Sequence, residues 1–340
     1  MTTLLDRHDL VLADLDGTLY QGREAIPGAV AAVVAAAEKG VRTLYVTNNA
    51  SRAPGDVAVH LAELGYPAEA DDVATSSQAA AALLAEQLPD GAKVLVVGTA
   101  ALAAEVTAVG LTPVDSADGA TAVVQGLDPA LNYATLAEAC VALRAGAVWV
   151  ACNVDPTLPS ERGPVPGNGA LVAVLRTATR LEPQVAGKPA PALMQTAARR
   201  VGATAPLVVG DRLDTDIQGG RAAGMATLLV LTGVSDATEL LEAPAEARPD
   251  YVGADLGAFD LDPDTLAVGS GPGWTVKGGA DGLVLSGSGD PLDALRVLCV
   301  HHWDTGGGPP RVRADGDDAA SALRVLGLRD TSDKRDEVGR

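Results

Sequence analysis

Four polar clusters each follow an apolar run, and they are spread from residue 14 to residue 216 of the chain. Asp14-Leu15-Asp16-Gly17-Thr18 follows "LVLA", and Thr47-Asn48-Asn49 follows "VRTLYV". Gly187-Lys188-Pro189 follows "QVA", and Asp211, Asp214 and Asp216 follow "APLVVG". Segments so far apart in sequence meet when their apolar runs are neighbouring strands of one parallel sheet, because the chemistry of such sheets gathers at the carboxyl ends of the strands. Helix-like stretches separate the runs: "GAVAAVVAAAEKG" closed by Gly40, "APGDVAVHLAELG" ending at Gly65, and "SSQAAAALLAEQL" with Ser76 and Ser77 placed to cap it. This βαβα order predicts an α/β fold with a doubly wound parallel sheet.

Each cluster alone has a structural reading. Asp and Gly are ordinary turn residues, Thr-Asn-Asn caps a helix as well as it binds an oxyanion, and a loop lysine is usually solvated. Asp14 and Asp16 share one side of an extended segment, where like charges repel unless a cation or a shared task explains them. An EF-hand is excluded because the loop lacks its glycine and its later glutamate. A P-loop is excluded by Glu182 and Pro189, which stand where that motif needs glycine and Ser/Thr. Together the clusters hold what phosphoryl transfer needs without a nucleotide fold. They offer carboxylates for a hard cation and for nucleophilic attack, a hydroxyl and amide for oxyanion oxygens, and a lysine for spread charge.

Composition narrows the classes. A net charge of −19 argues against nucleic acid and anionic membranes as partners, and no apolar run approaches the length of a membrane span. Aromatic residues make up 3% against 47% apolar overall, so Ala, Val and Leu carry the packing. Cys140, Cys152 and Cys299 are an odd set without C-x-x-C spacing, which predicts free thiols in a reducing, cytoplasmic setting.

The four clusters, in order, resemble the motifs of the haloacid dehalogenase (HAD) superfamily of phosphatases. The resemblance implies that Asp14 is the nucleophile and Asp16 the general acid/base. It implies Mg²⁺ held by Asp14, the Asp16 backbone carbonyl and Asp211, with Asp216 orienting behind them. Thr47, Asn48 and Lys188 would grip the phosphoryl group, and Asp214 matches no required position. Too few residues separate Asp16 from Thr47 for a domain, whereas the interval from Thr47 to Lys188 has room for one. That places a C2-type α/β cap after the second motif, as in class IIA, the subfamily of phosphoglycolate, glycerol-phosphate and p-nitrophenyl phosphatases. "VVQGLD", "CNVD" and "PGNGALV" resemble the same subfamily. Asn153 and Asp155 fall where its cap meets substrate, and a structural turn explains them equally.

The implied organisation is a HAD core over residues 1–79 and 183–260, a cap over 80–182, an α+β appendage over 261–330 and a disordered tail over 331–340. On this view "QVAGKPAP" belongs to the first sheet. In the appendage "WTVKG" and "DGLVLSG" predict a hairpin and "DPLDALRVLCVHHWD" an amphipathic helix. The appendage resembles part of an acetyltransferase fold but lacks its acyl-CoA pyrophosphate loop, so packing, dimerisation or ligand sensing is expected of it rather than catalysis. The expected function is a Mg²⁺-dependent phosphomonoesterase for a small phosphorylated metabolite. Glycerol 3-phosphate is the first candidate substrate, with phosphoglycolate and pyridoxal phosphate as alternatives, and a non-catalytic metabolite-binding regulator is the reading from another class. Homodimerisation is left open.

Overall fold

The computed structural model describes residues 2–158, 162–279, 282–304 and 308–331. The expected disordered tail lies, from residue 332 onward, outside the described residues. The chain divides into two compact units, residues 1–43 with 204–340, and residues 44–203.

The first unit is built on parallel strands. Leu10–Ala13 pairs with Pro206–Gly210, which pairs with Ala226–Val230, which pairs with Tyr251–Gly253. Leu10, Val11, Leu12 and Ala13 are all buried, as are Leu207, Val208 and Val209, so both faces of these strands are covered. A strand covered on both sides loses the polar alternation of a half-exposed one, which is why the sequence reads as continuous apolar runs. The helix Ala29–Glu38 follows the first strand and ends before Gly40, whose φ of 80° stops it.

The appendage belongs to this unit. Trp274–Gly279 and Gly282–Gly287 form the expected hairpin, Val312–Asp315 adds in parallel, and the expected helix spans Pro291–Asp304. Its apolar face does not close on itself. Leu285, Leu295, Leu298 and Leu323 share one hydrophobic cluster with Leu213, Ile217, Leu229, Leu240 and Val252. Buried Arg296 ties the two sequences together, donating Nε and Nη2 to the Val252 carbonyl and Nη1 to Asp293. Trp303 donates to the Leu240 carbonyl, and the Arg248 guanidinium lies 4.7 Å above its ring.

The second unit holds a five-stranded sheet in the order Gln184–Val185, Val148–Ala151, Ala122–Gln125, Lys93–Val97, Thr112–Val114, all parallel. The strand within "QVAGKPAP" therefore corrects an expectation. Val185 pairs with Ala151, and the Ala186 N–H bonds the Ala151 carbonyl, so the segment extends this sheet rather than the first one. Arg42–Thr47 pairs in parallel with Val73–Thr75. The helix Ser76–Ala85 is capped by Thr75 in a box with Gln78, not by its serines. No helix among the described residues is long and apolar enough to cross a membrane.

Candidate active site

In the first unit the carboxylates converge. Oxygens of Asp14, Asp211 and Asp216 all lie within 4.8 Å of one another, with Asp211 and Asp216 buried and Asp14 partly so. Asp14 follows the strand Leu10–Ala13, and Asp211 follows Pro206–Gly210, its partner in register. Asp216 lies one helical turn on, in Leu213–Ile217, where a wide π turn carries it and the Arg212 N–H bonds its Oδ2 at 3.1 Å. Asp214, in the same turn, points elsewhere and forms a two-pronged pair with Arg212 at 3.0 and 2.8 Å.

The backbone around Asp211 is cut to fit it. Gly17 has a φ of 86°, and a Cβ there would overlap the Asp211 carboxylate, with its Cγ only 2.6 Å away. Glycine alone meets both conditions. The loop after Ala226–Val230, which the sequence reading missed, closes the other side. The Val234 N–H donates to Asp211 Oδ2 at 2.7 Å, Ser235 Oγ accepts from the Leu213 N–H, and Thr232 Oγ donates to the Gly17 carbonyl at 2.6 Å. Thr18 Oγ reaches Asp211 Oδ1 at 3.4 Å. "LTGVS" carried a signal of its own, a strand end followed by small polar residues.

Asp16 is open to solvent on one side, yet burial, and then the nearby Asp14 carboxylate, raise its carboxyl above the usual range, with the Gly22 N–H pulling the other way. Gly22 joins Tyr20–Gln21 to Glu24–Ala25, a short hairpin. A carboxyl held toward its neutral form can deliver a proton.

In the second unit Asn48 and Lys188 come together around one amide. Asn48 Oδ1 accepts from the Lys188 N–H at 2.8 Å, and Asn48 Nδ2 donates to the Lys188 carbonyl at 2.9 Å. The same Nδ2 lies 3.3 and 3.4 Å from the Asp155 carboxylate. Gly187 makes room, since a Cβ there would sit 2.5 Å from both Asn48 Oδ1 and the Cys152 carbonyl. Thr47 Oγ accepts from the Asn49 N–H, turning the chain at the end of its strand. Lys188 is buried despite its charge.

Asn153 is buried and donates Nδ2 to the Asn48 carbonyl at 2.7 Å, while its Oδ1 accepts from the Asp155 N–H. Ser76 Oγ donates to the same Asn48 carbonyl at 2.6 Å, and Ser77 Oγ to that of Ala50. The two serines thus hold the loop, which sequence reasoning did not foresee because the capping role looked sufficient.

Comparison with known proteins adds the lineage. Residues 11–112 match the model of the haloacid dehalogenase-like hydrolases and residues 185–259 a second HAD-hydrolase-like model. The D-glycerol 3-phosphate phosphatase of Mycobacterium tuberculosis is 48% identical over 343 residues, 96% of each chain. The chain belongs to the haloacid dehalogenase-like hydrolases. Within the family it sits among phosphatases. The crystal structure of the glycerol phosphate phosphatase from Mycobacterium tuberculosis with magnesium matches at a TM-score of 0.92 and 49% identity, over 97% of this chain and 100% of that one. A second structure of that protein holds calcium. The crystal structure of a double mutant of the thermostable NPPase from Geobacillus stearothermophilus matches at a TM-score of 0.68 and 34% identity, over 76% of this chain and 99% of that one. Residues 271–328 match a GCN5-related N-acetyltransferase-like domain, in line with the expected appendage.

Proposed function

We propose that this chain is a Mg²⁺-dependent phosphomonoesterase whose substrate is glycerol 3-phosphate. The carboxylate cluster of Asp14, Asp211 and Asp216 carries the reading. Anions this close and this buried repel unless a cation lies among them, and an all-oxygen donor set suits a hard divalent ion. Asp14 and Asp211 would hold Mg²⁺ with the Asp16 carbonyl, and Asp216 would orient them. When bound, the ion screens the negative charge of the phosphate from the carboxylates and favours charge building on the phosphoryl oxygens.

The side chains divide the work. Asp14 attacks phosphorus to form an aspartyl-phosphate, and Asp16 in its acid form protonates the departing alkoxide. Asp16, now a carboxylate, takes a proton from the water that attacks the aspartyl-phosphate, which releases phosphate and restores Asp14. Thr47, Asn48 and Lys188 bind phosphoryl oxygens, and the paired Asn48–Lys188 backbone contacts pre-set that grip. A core with an inserted cap whose sheet reaches through Gln184–Val185, a role for Asn153 and Asp155 in cap specificity, and a reducing cytoplasmic setting belong to the same reading. Three free cysteines and the acidic charge support the last and favour a small metabolite over nucleic acid.

Phosphate release from a panel of small esters, with Mg²⁺ and with EDTA, tests this in wild type and Asp14→Asn. Turnover that needs Mg²⁺, ranks glycerol 3-phosphate first and falls by about 10³-fold or more in the variant is expected. Wild type that releases nothing from any ester would leave the regulatory reading.

A further inference from the structure

The polar chain behind Asn48 runs deeper than the loop requires. Asn153 Nδ2 donates to the Asn48 carbonyl at 2.7 Å, and Asn168 Nδ2 donates to the Asn153 carbonyl at 2.7 Å. Asn168 Nδ2 also reaches the carbonyl of Gln125 at 3.4 Å. Asn153, Asn168 and Gln125 are 5%, 1% and 0% exposed. At the far end the bonding stops. Gln125 Oε1, Gln125 Nε2 and Asn168 Oδ1 have no hydrogen-bond partner among the described residues, and neither does Trp149 Nε1.

Strand register puts two of these groups on one face. Val123 pairs with Trp149 and Gln125 with Ala151, and Val123, Trp149 and Ala151 all pack in the cluster under the helices Tyr133–Arg144 and Asn168–Thr179. A leucine or methionine would fill that interior without an unmet amide. Buried side-chain amides without a partner are rare enough in folded proteins to need a reason. The unmet set mixes donors (Gln125 Nε2, Trp149 Nε1) with acceptors (Gln125 Oε1, Asn168 Oδ1). The donors oppose a cation and the acceptors oppose an anion, whereas water serves both.

We propose that Gln125 and Asn168 enclose an internal water, and that this hydrated pair is a positioning site that fixes the Asn168 amide and, through Asn153, the Asn48 peptide. The inference rests on the reading of Asn48 as a phosphate-binding residue. It assigns Asn168 a role through two hydrogen bonds rather than contact with substrate.

Gln125→Met, close in volume and apolar, removes the water's partner, and Asn168→Asp replaces the Nδ2 donor with an oxygen. Hydrogen–deuterium exchange of the 44–52 peptide, compared with 206–217, reads the loop directly and does not depend on turnover. In Gln125→Met, faster exchange at 44–52, an unchanged 206–217 peptide and an unchanged melting midpoint are expected. The inhibition constant for inorganic phosphate should rise about tenfold, the scale of one lost buried hydrogen bond. Wild-type exchange at 44–52 in a folded Gln125→Met overturns the proposal, and so does uniform loosening of both peptides. A high-resolution crystal structure with the Gln125 amide bonded directly to protein groups also overturns it. Failure of every ester in the turnover assay would count against the phosphatase reading and leave the exchange result standing on its own.

Discussion

At the scale of single residues, neighbouring groups decide what each carboxyl can do. Asp16 is raised by burial and by Asp14, so its acid form persists to higher pH than that of an ordinary aspartate. As pH rises through that raised value the proton is lost, and the first step should slow for an alkyl ester such as glycerol 3-phosphate. p-Nitrophenolate leaves without needing a proton, so Asp16→Asn should lower the first-turnover burst far less with p-nitrophenyl phosphate than with the alkyl ester. Stopped-flow measurement on both esters checks this, and equal losses would contradict it. Gly17→Ala tests the space around Asp211. Its Cβ overlaps a buried carboxylate and its φ is positive, so a loss of about 1–3 kcal/mol of stability is expected. Urea unfolding reads that loss, and a parallel Mg²⁺ titration should show weaker binding.

At the scale of elements, capping and loop-holding are done by different side chains of one short stretch. Thr75 caps the helix Ser76–Ala85, whereas Ser76 reaches the Asn48 carbonyl. Thr75→Ala should therefore cost about 1 kcal/mol of stability with little change in the affinity for phosphate. Ser76→Ala removes a donor from the loop and should weaken phosphate inhibition by several-fold, on the order of one hydrogen bond. Paired urea melts and inhibition constants separate the two. The order of these roles was not legible in "TSSQ", because Thr75, Ser76 and Ser77 are all competent caps by residue type.

At the scale of the molecule, the appendage is a structural partner of the first unit's sheet rather than an independent domain. Leu295 and Leu298 lie in the same cluster as Leu229 and Val252, so a chain ending after Ala267 would expose that surface. Such a truncation should express poorly and lose its cooperative heat-absorption peak in calorimetry, whereas Leu295→Ala should fold with a loss of about 2–5 kcal/mol. A truncated protein that melts like the full chain would show the shared core to be dispensable.

The strand-ending clusters, the parallel α/β class and the residue types of the candidate site were legible in the sequence, because apolar runs closed by Asp, Thr or Lys are local signals. The sequence also announced the hairpin and helix of the appendage, whose periodicity is local too. The rest was settled by long-range packing. It moved Gln184–Val185 into the five-stranded sheet, merged the appendage core with that of the first unit, brought the Thr232–Ser235 loop onto Asp211, and aligned Asn168 and Asn153 behind Asn48. Each of those outcomes depends on which surface a segment finds across a long stretch of chain. A pairing of that kind is set by the fit of whole faces and leaves no mark on the residues flanking either partner.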